Sequence, residues 1–339
     1  MRWSRALTVV GCHTGGEVGD VVTGGLGDVP GSTMFEKKLY LEEHLDEIRQ
    51  LLLFQPRGSV IRSVNFVLPA TDPRASLGYV IAETTEYPAM SGSNTICTAT
   101  VLLETGMVPM TEPVTELVLE SPAGLISLHC ECRDGKVTSV RFVNQPAFVY
   151  HLDTSIEVPG YGQVRVDVAW GGMTYVIAEA ADLGFELVPS EARELCRVGQ
   201  LLKEAASEQL TAVHPLEPRY AGITQTEFTG PLRRQDGVLT AKNAVIVSPG
   251  RIDRSPCGTG TSARLAVMSA KGLIGVGEDF LHESLIGSVY QARVESTTTV
   301  GGIDAVIPSV AGEAYITSMG QVGLDPVDPF PRGYLLNDV

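Results

Sequence analysis

Hydrophobic and polar residues alternate along several short segments of the chain, the pattern of strands with one buried face. Two longer segments instead repeat apolar residues every three or four positions, which indicates amphipathic helices. Strands are predicted at 59–69, 77–84, 125–133, 136–144 and 164–170, and helices at 35–53 and 189–209. The second helix opens at Pro189 and Ser190, followed by Glu191, a sequence typical of an N-cap region. The chain therefore reads as mixed α and β.

Two further segments are apolar on nearly every face, and each follows a turn of small residues. SGSNTICTATVLLETG (91–106) aligns without a gap to CGTGTSARLAVMSAKG (257–272), with glycine at the second and last positions of both. A predicted strand precedes each one, GYVIAE (78–83) and NAVIVS (243–248). Helices that are apolar all round are buried. The pattern predicts a duplicated strand–loop–helix unit.

Such a duplication implies a two-lobed α/β (α+β) molecule with pseudo-twofold symmetry and one buried central helix in each lobe. The alternative is a chance likeness between two common units. We favour duplication because the agreement extends beyond the helices into both flanks. The expected lobes are residues 1–150, joined by the C-terminal segment 315–339, and residues 151–314.

Composition narrows the class of partner. The chain has 339 residues, 44% of them hydrophobic, and a net charge of −15. An acidic surface is repelled by nucleic acid and by anionic membranes, so neither is an expected partner. The first 16 residues lack a signal-peptide core, and no segment approaches the roughly 18 apolar residues of a membrane span. Six cysteines in a chain of this length do not make a disulfide framework. A cytoplasmic location is the expectation.

The duplicated turns suggest the chemistry. The first N–H groups of a helix lack intrahelical partners and carry positive partial charge, so such an end binds anions. Cys257 at such an end is expected to have its thiolate stabilised and its pKa lowered. Two ends that face one cleft would hold a small carboxylate and place Ser91 and Cys257 on opposite sides of its α-carbon. Glycine at 92 and 258 would let a substrate approach the backbone.

At these residues the chain resembles the proline racemase family, which includes hydroxyproline 2-epimerases and trans-3-hydroxyproline dehydratases. The similar motifs cover nearly the whole chain: HTGGEVGDVVTGG (13–25), WGGMTYV (170–176), DRSPCGTGTSARLA (253–266) and the ending at 312–329. The resemblance implies a diaminopimelate-epimerase-like fold that works without pyridoxal phosphate or any other cofactor, and without metal.

The resemblance also implies roles for individual residues. Cys257 matches the second catalytic acid/base of the family, and Asp253 matches the aspartate that meets the ring nitrogen of the substrate. The backbones at Gly258 and Thr259, and at Gly92 and Ser93, are expected to bind the substrate carboxylate.

The first catalytic motif departs from the family. Its usual pattern is Met-Cys-Gly-His, whereas this chain has Met90, Ser91, Gly92 and Ser93. Racemisation needs an acid and a base that exchange roles, and serine is a far weaker base than cysteine unless it is activated. A β-elimination needs only one α-proton to be removed.

We therefore expect dehydration of trans-3-hydroxy-L-proline to a pyrroline-2-carboxylate. The alternatives are 2-epimerisation of 4-hydroxyproline or 3-hydroxyproline, and a non-catalytic imino-acid-binding protein. The sequence leaves open whether Ser91 or Cys257 removes the α-proton. It also leaves open the oligomeric state, a homodimer included.

Several histidines and cysteines outside the duplicated turns are weaker candidates for a role in the site. His13 is expected to be structural, and His214 is the nearest candidate for a mid-chain histidine that contacts the substrate, although its spacing to Cys257 does not support that role. The remaining single cysteines are expected to fill apolar space, namely Cys12, Cys97 and Cys196. A metal site at His129, Cys130 and Cys132 is disfavoured, because alternation along a strand is expected to place Cys130 opposite the other two.

Overall fold

The computed structural model describes residues 3–247 and 250–336. The elements in chain order are β1 (Arg5–Thr14), β2 (Glu17–Gly24), α1 (Met34–His44), α2 (Asp46–Leu53), β3 (Arg62–Leu68), β4 (Leu77–Ala82), α3 (Gly92–Glu104), β5 (Val114–Ser121), β6 (Gly124–Arg133), β7 (Lys136–Val143), β8 (Ala147–Val158), β9 (Gly162–Trp170), β10 (Thr174–Glu179), α4 (Ala192–Gln209), β11 (Gln225–Thr229), β12 (Arg233–Gln235), β13 (Val238–Val247), β14 (Arg251–Ile252), α5 (Gly258–Ala270), β15 (Asp279–Glu283), β16 (Val289–Val300), β17 (Ile303–Gly312) and β18 (Ala314–Leu324). Short 3-10 turns span Ala180–Leu183 and Pro189–Glu191.

The chain divides into two compact units. The first unit runs to Phe142 and resumes at Gly312, and the second unit is Val143–Ala311. The boundaries therefore lie a few residues before those expected at 150 and 314. The reason is that β8 pairs along its length with β9 of the second unit, so the chain changes unit before β8 begins.

The first unit contains one sheet, in the order β18–β1–β2–β3–β4–β5–β6–β7. Its successive pairs are antiparallel twice, then parallel, antiparallel and parallel, then antiparallel twice. In the second unit the order β8–β9–β10–β11–β13–β15–β16–β17 repeats this succession of orientations. There β17 also pairs with β8, so the ladder closes on itself.

The predicted duplication is thus confirmed in the topology. Helix α3 follows β4, which is the fifth strand in the order given for the first unit. Helix α5 follows β13, the fifth strand in the order given for the second unit, with the short strand β14 between them. Helices α1 and α2 connect β2 to β3, just as α4 connects β10 to β11. The fold is mixed α/β with a repeated unit, as the sequence predicts.

Both central helices are buried, as expected. Every residue of α3 from Gly92 to Leu103 is buried, and the helix packs on β1, β2, β3 and β18. Every residue of α5 from Gly258 to Met268 is buried, and that helix packs on β8, β9, β10 and β16. Enclosure by sheet on several sides explains why neither helix has a polar face.

The surface helices differ from the prediction. The segment 35–53 forms two helices rather than one, because Leu45 leaves the helical conformation at φ −132° and Asp46 starts a new helix. The carboxylate of Asp46 there accepts hydrogen bonds from Arg49 and Gln50. The predicted N-cap region at 189–191 lies directly before α4 as a 3-10 turn that ends at Glu191, the N-cap residue, and no side chain caps the helix.

The five predicted strands are present, with shifted ends. For example, β3 covers Arg62–Leu68 of the predicted 59–69. The predicted strand 243–248 is the end of β13, and its last residue, Ser248, lies outside the described residues. Between residues 3 and 336, leaving out 248 and 249, no helix combines the length and hydropathy that crossing a membrane requires.

Candidate active site

Ser91 is the N-cap of α3 in the first unit. Its backbone is extended, with φ −148° and ψ 129°, and its carbonyl accepts the amide N–H of Thr95 at 3.0 Å. The amides of Gly92 and Ser93 lie in the first turn, where no carbonyl four residues earlier can accept them. Both amides are therefore placed as the sequence predicts, at the start of a buried helix.

The Ser91 side chain does not cap its own helix. Its Oγ instead accepts a hydrogen bond from Nδ2 of Asn94 at 3.0 Å and lies 3.3 Å from Oγ of Ser93. An amide N–H and a second alcohol are poor proton acceptors at neutral pH. Among the described residues, the hydroxyl of Ser91 thus has no side-chain partner that would activate it as a base.

Cys257 is the N-cap of α5 in the second unit, and its backbone is strained. Its φ of +64° lies in the region that residues other than glycine rarely adopt. The peptide before it is held at both ends. The Cys257 N–H donates to Oγ of Ser255 at 3.1 Å, and the carbonyl of Pro256 accepts Nδ2 of Asn243 at 2.8 Å and Oγ1 of Thr261 at 3.3 Å. These bonds offset the backbone strain and fix the direction of the thiol.

The Cys257 thiol has three hydrogen-bonding neighbours. The amide N–H of Gly260 donates to Sγ at 3.4 Å, the hydroxyl of Tyr175 lies 3.3 Å away, and Oγ1 of Thr259 lies 3.6 Å away. Tyr175 and Thr259 also bond each other at 2.6 Å. One of the two hydroxyls donates to the other, so the second hydroxyl and the Gly260 N–H can donate to the sulfur together and stabilise a thiolate once it forms.

The expectation of a lowered pKa is nevertheless wrong for this structure. Burial raises the pKa of Cys257 well above its ordinary value, and the negative charge of Asp253 adds to that rise. The hydrogen bonds from Tyr175, Gly260 and Thr259 act in the opposite direction without reversing it. The cost of burying a charge outweighs the favourable electrostatics of the helix end, because Cys257 is only 7% exposed.

Asp253 precedes Cys257 and is held by a tight local turn. Its Oδ1 accepts the amide N–H and the hydroxyl of Ser255, both at 2.8 Å. Ser255 in turn accepts the Cys257 amide, so one serine links the carboxylate to the backbone of the thiol. Gly258 and Thr259 begin α5 next to this turn, and their amides occupy the first turn of the helix.

The glycines of WGGMTYV pack against that first turn. A Cβ on Gly171 would lie 2.1 Å from the carbonyl oxygen of Thr259 and 2.5 Å from the amide nitrogen of Ala263, distances that no side chain can occupy. The same motif supplies Tyr175, on β10. Tyr175 is not among the site residues predicted from the sequence, where its position within this motif is the signal that marks it.

A second group of polar side chains is buried behind the first turn of α5. Glu227 and His282 are fully buried, with 3.6 Å between Oε1 and Nε2, and Asn243 lies 3.3 Å from the same Oε1. A Cβ on Gly260 would lie 3.1 Å from Oε2 of Glu227, so the carboxyl group touches the turn that carries Cys257. Burial raises the pKa of Glu227 to about 8 and lowers the pKa of His282 to about 3.

The two candidate histidines have structural contacts. His13 accepts the amide N–H of Gly16 and stacks on Tyr315. His214 accepts two backbone amides at Nδ1 and lies in an aromatic group with Phe148, Trp170 and Tyr220. Burial lowers the pKa of His214, which keeps this ring neutral at physiological pH.

The cysteines outside the site are buried or half-buried. The predicted arrangement at β6 is wrong in one respect, because Cys130 and Cys132 share the buried face, as residues two apart on a strand must. His129 alone points to the exposed side, where it pairs with Glu116 at 2.7 Å. Within the described part of the chain, no group of three or more His, Cys, Asp or Glu side chains is arranged to hold a metal ion.

Comparison with known proteins decides the family. The model of the proline racemase family matches residues 9–335. This chain belongs to the proline racemase family. The family match spans both helix turns described above, so Ser91 and Cys257 lie within the matched region.

Solved structures agree with that assignment. A hydroxyproline epimerase from Agrobacterium vitis, with bound trans-4-hydroxy-L-proline, is 39% identical, covers 100% of this chain and 98% of its own, and superposes with a TM-score of 0.92. A probable proline racemase from Agrobacterium radiobacter, with bound carbonate, is 37% identical over 98% of this chain and 97% of its own, with a TM-score of 0.91.

More distant structures share the fold alone. A phenazine biosynthesis protein of the PhzF family from Bacillus anthracis is 12% identical, covers 94% of this chain and 99% of its own, and gives a TM-score of 0.58. This chain is therefore an enzyme of the proline racemase family, with the mixed α/β fold that these structures share.

Proposed function

We propose that this proline racemase family member dehydrates trans-3-hydroxy-L-proline, with Cys257 as the group that removes the α-proton. The observation that carries the proposal is the asymmetry of the duplicated positions. Cys257 is surrounded by donors that stabilise a thiolate, whereas Ser91 has an amide N–H and an alcohol as side-chain partners. One strong acid/base and one alcohol suit a reaction that needs a single base.

In this proposal the substrate carboxylate binds the first-turn amides of both duplicated helices, namely those of Gly92, Ser93, Gly258 and Thr259. The positive ends of the helices favour an anion there. Asp253 pairs with the cationic ring nitrogen. That pairing would also offset the negative charge of Asp253, which is one cause of the raised pKa of Cys257. Substrate binding would thus favour the thiolate.

The stereochemistry of this substrate fits a single acid/base. In trans-3-hydroxy-L-proline the hydroxyl lies opposite the carboxylate, so it lies on the same face of the ring as the α-hydrogen. The Cys257 thiolate takes the α-proton and leaves an α-carbanion, whose electron pair then forms the C2=C3 bond as the C3–O bond breaks. The new S–H gives its proton to the departing hydroxide. Water and pyrroline-2-carboxylate form, and the thiolate is regenerated.

A second function is 2-epimerisation of hydroxyproline, and the relative from Agrobacterium vitis favours it. Epimerisation would need Ser91 to deliver a proton to the opposite face of the α-carbon. The carbanion formed at Cys257 would then divide between loss of the 3-hydroxyl and protonation by Ser91. For 4-hydroxyproline, which has no leaving group next to the α-carbon, only protonation remains.

The test is incubation of the enzyme in D₂O with proline, trans-3-hydroxy-L-proline and trans-4-hydroxy-L-proline, followed by NMR and chiral chromatography. We expect pyrroline-2-carboxylate, and its imine tautomer, from the 3-hydroxy substrate. Formation of 2-epimers without pyrroline would replace the dehydratase by the epimerase. Binding without deuterium at any α-carbon would identify a non-catalytic binding protein.

A further inference from the structure

The hydroxyl of Ser91 lies at the end of a series of hydrogen bonds made by buried side-chain amides in the first unit. The backbone carbonyl of Asp20 accepts Nδ2 of Asn65 at 3.2 Å. The same Nδ2 donates to Oδ1 of Asn94 at 2.9 Å, and Nδ2 of Asn94 donates to Oγ of Ser91 at 3.0 Å. Asn65 is 0% and Asn94 is 2% exposed, so solvent does not compete for these bonds.

The backbone carbonyl of Asp20, where this series of hydrogen bonds begins, determines which atom donates and which accepts in every bond of the series. A carbonyl oxygen can only accept, so the Asn65 atom that faces it is the nitrogen, which has two protons for two acceptors. The Asn94 atom that faces this nitrogen is therefore its oxygen, and its own nitrogen faces Ser91. The hydroxyl of Ser63 lies between the carbonyl of Val18 and Oδ1 of Asn94, but its single proton cannot fix the orientation.

Packing holds these amides in place. Ser63 and Asn65 are alternate residues of β3, so both side chains face the first turn of α3. A Cβ on Gly19 of β2 would lie 2.9 Å from Oδ1 of Asn94 and 3.4 Å from Nδ2 of Asn65. A glycine at position 19 is what lets β2 approach the amides so closely. Rotation of the Asn94 amide would cost a buried hydrogen bond and bring two N–H groups together.

We propose that Asn94 is a positioning residue that makes Ser91 a competent proton donor on its face of the α-carbon. Its N–H occupies a lone pair of Oγ, so the serine O–H points away from Asn94, towards Ser93 or a substrate. When Ser91 gives up its proton, the same N–H stabilises the negative charge left on Oγ. The proton moves from Oγ to the α-carbanion, and Oγ recovers a proton from solvent.

The inference rests on the proposed function in one respect, that Ser91 faces the substrate α-carbon. It predicts which of two products Asn94 controls. Dehydration uses the Cys257 face alone, whereas the 2-epimer needs proton transfer on the Ser91 face. Asn94 therefore governs the ratio of 2-epimer to pyrroline formed from trans-3-hydroxy-L-proline, and leaves the rate of dehydration nearly unchanged.

The test compares that ratio in the wild type, Asn94→Asp and Asn94→Ala. A carboxylate at 94 removes the donor and adds a negative charge, and alanine removes the donor alone. We expect the ratio to fall by about 100-fold in Asn94→Ala, as for loss of one donor to a developing oxyanion, and by more in Asn94→Asp. The ratio is set within each turnover, so a smaller folded fraction does not alter it.

Asn144→Asp is the matched control, because it also buries a carboxylate in place of an asparagine that is 5% exposed. Its side chain bonds the carbonyl of Gly171 and the hydroxyl of Ser262, not Ser91. We expect its product ratio to equal that of the wild type. Ser91→Ala combined with Asn94→Asp should lower the ratio no further than Ser91→Ala alone, because Asn94 acts through Ser91.

Three results would overturn the inference: an unchanged ratio in both Asn94 variants, an equal fall of both products, or no 2-epimer from the wild type. None of these disproves the dehydratase. Conversely, a wild type that forms 2-epimers and no pyrroline disproves the dehydratase alone. The inference then predicts that Asn94→Asp lowers epimerisation by the same factor, while Asn144→Asp does not.

Discussion

The phenolic oxygen of Tyr175 lies 3.3 Å from Sγ of Cys257 and 2.6 Å from Oγ1 of Thr259. Tyr175 is completely buried, and burial raises its pKa well above the ordinary value, so the phenol stays protonated and can donate. This donor is one of three groups that favour the thiolate against the large effect of burial. The reactivity of Cys257 therefore depends on a residue 82 positions away in sequence.

Replacement of this tyrosine, Tyr175→Phe, should raise the pKa of Cys257 further. A hydrogen bond to a charged group is worth about 1.5–3 kcal/mol, so we expect the rising limb of kcat/KM to move up by about one to two pH units. Alkylation of Cys257 by iodoacetamide, followed by peptide mass spectrometry across pH, measures the same shift directly.

The control is Tyr79→Phe, because Tyr79 makes the comparable buried bond to Thr95, at 2.6 Å, in the first unit. This variant should leave the pH profile of Cys257 alkylation in place. An unchanged profile in Tyr175→Phe would show that the phenol does not stabilise the thiolate.

Asp253→Asn should separate binding from thiol reactivity. The negative charge of Asp253 raises the pKa of Cys257, so its removal should make Cys257 alkylate at lower pH in the substrate-free enzyme. The same change removes the proposed partner of the substrate ammonium, so KM should rise by about tenfold or more, the effect of losing one charged contact. Faster alkylation together with unchanged KM would argue against the substrate contact.

Cys257→Ser should abolish turnover, because loss of a positioned acid/base costs about 10²–10⁴-fold in rate. Binding of a small carboxylate should persist, since it is proposed to rest on backbone amides that the change leaves in place. Calorimetry with pyrrole-2-carboxylate, whose α-carbon is planar, measures that binding. A variant with near-normal turnover would disprove the central assignment.

The complementary change, Ser91→Cys, should raise the yield of 2-epimer relative to pyrroline. A thiol at this position provides an acid/base that titrates much closer to neutral pH than an alcohol does. Chiral chromatography of the products from L- and D-configured hydroxyprolines tests this, with the wild type run in parallel. Loss of both products in a folded Ser91→Cys protein would contradict the pairing of positions 91 and 257.

Glu227→Gln should change how stability depends on pH. The Glu227 carboxyl faces Arg264 of α5, His282 of β15, Asn243 of β13 and Tyr175 of β10. Burial raises its pKa from 4.5 to about 8, so its contribution to folding is complete below about pH 4.5 and is lost as pH rises through about 8. Glutamine does not ionise, so the variant does not lose folding stability in this way as pH rises.

We therefore expect the Tm of Glu227→Gln, relative to the wild type, to be higher at about pH 8.5 than at about pH 5. Differential scanning fluorimetry at both pH values measures the difference. Glu204→Gln, at an exposed position of α4, is the control and should show no such change. Parallel pH profiles for Glu227→Gln and the wild type would mean that Glu227 is ionised in the folded protein.

The sequence by itself determined the repeated architecture and the central helices. Ser91 and Cys257 each stand directly before a run of small and apolar residues, and such runs can only be buried helices entered through a tight turn. This information lies in neighbouring residues, so it can be read directly from the sequence. The same reasoning failed at Leu45, where one amphipathic pattern became two helices, because a break of one residue leaves the periodicity almost intact.

Only the tertiary structure decided what surrounds the two reactive groups. Tyr175 and Cys257 lie on different elements of the second unit, and Asn65 reaches Ser91 through Asn94 from a neighbouring strand. The pKa of Cys257 is likewise raised by burial, which opposes the lowering that the sequence predicts from a helix N-terminus. Desolvation and hydrogen-bond direction depend on atoms brought together from distant parts of the chain, and sequence spacing does not encode those distances.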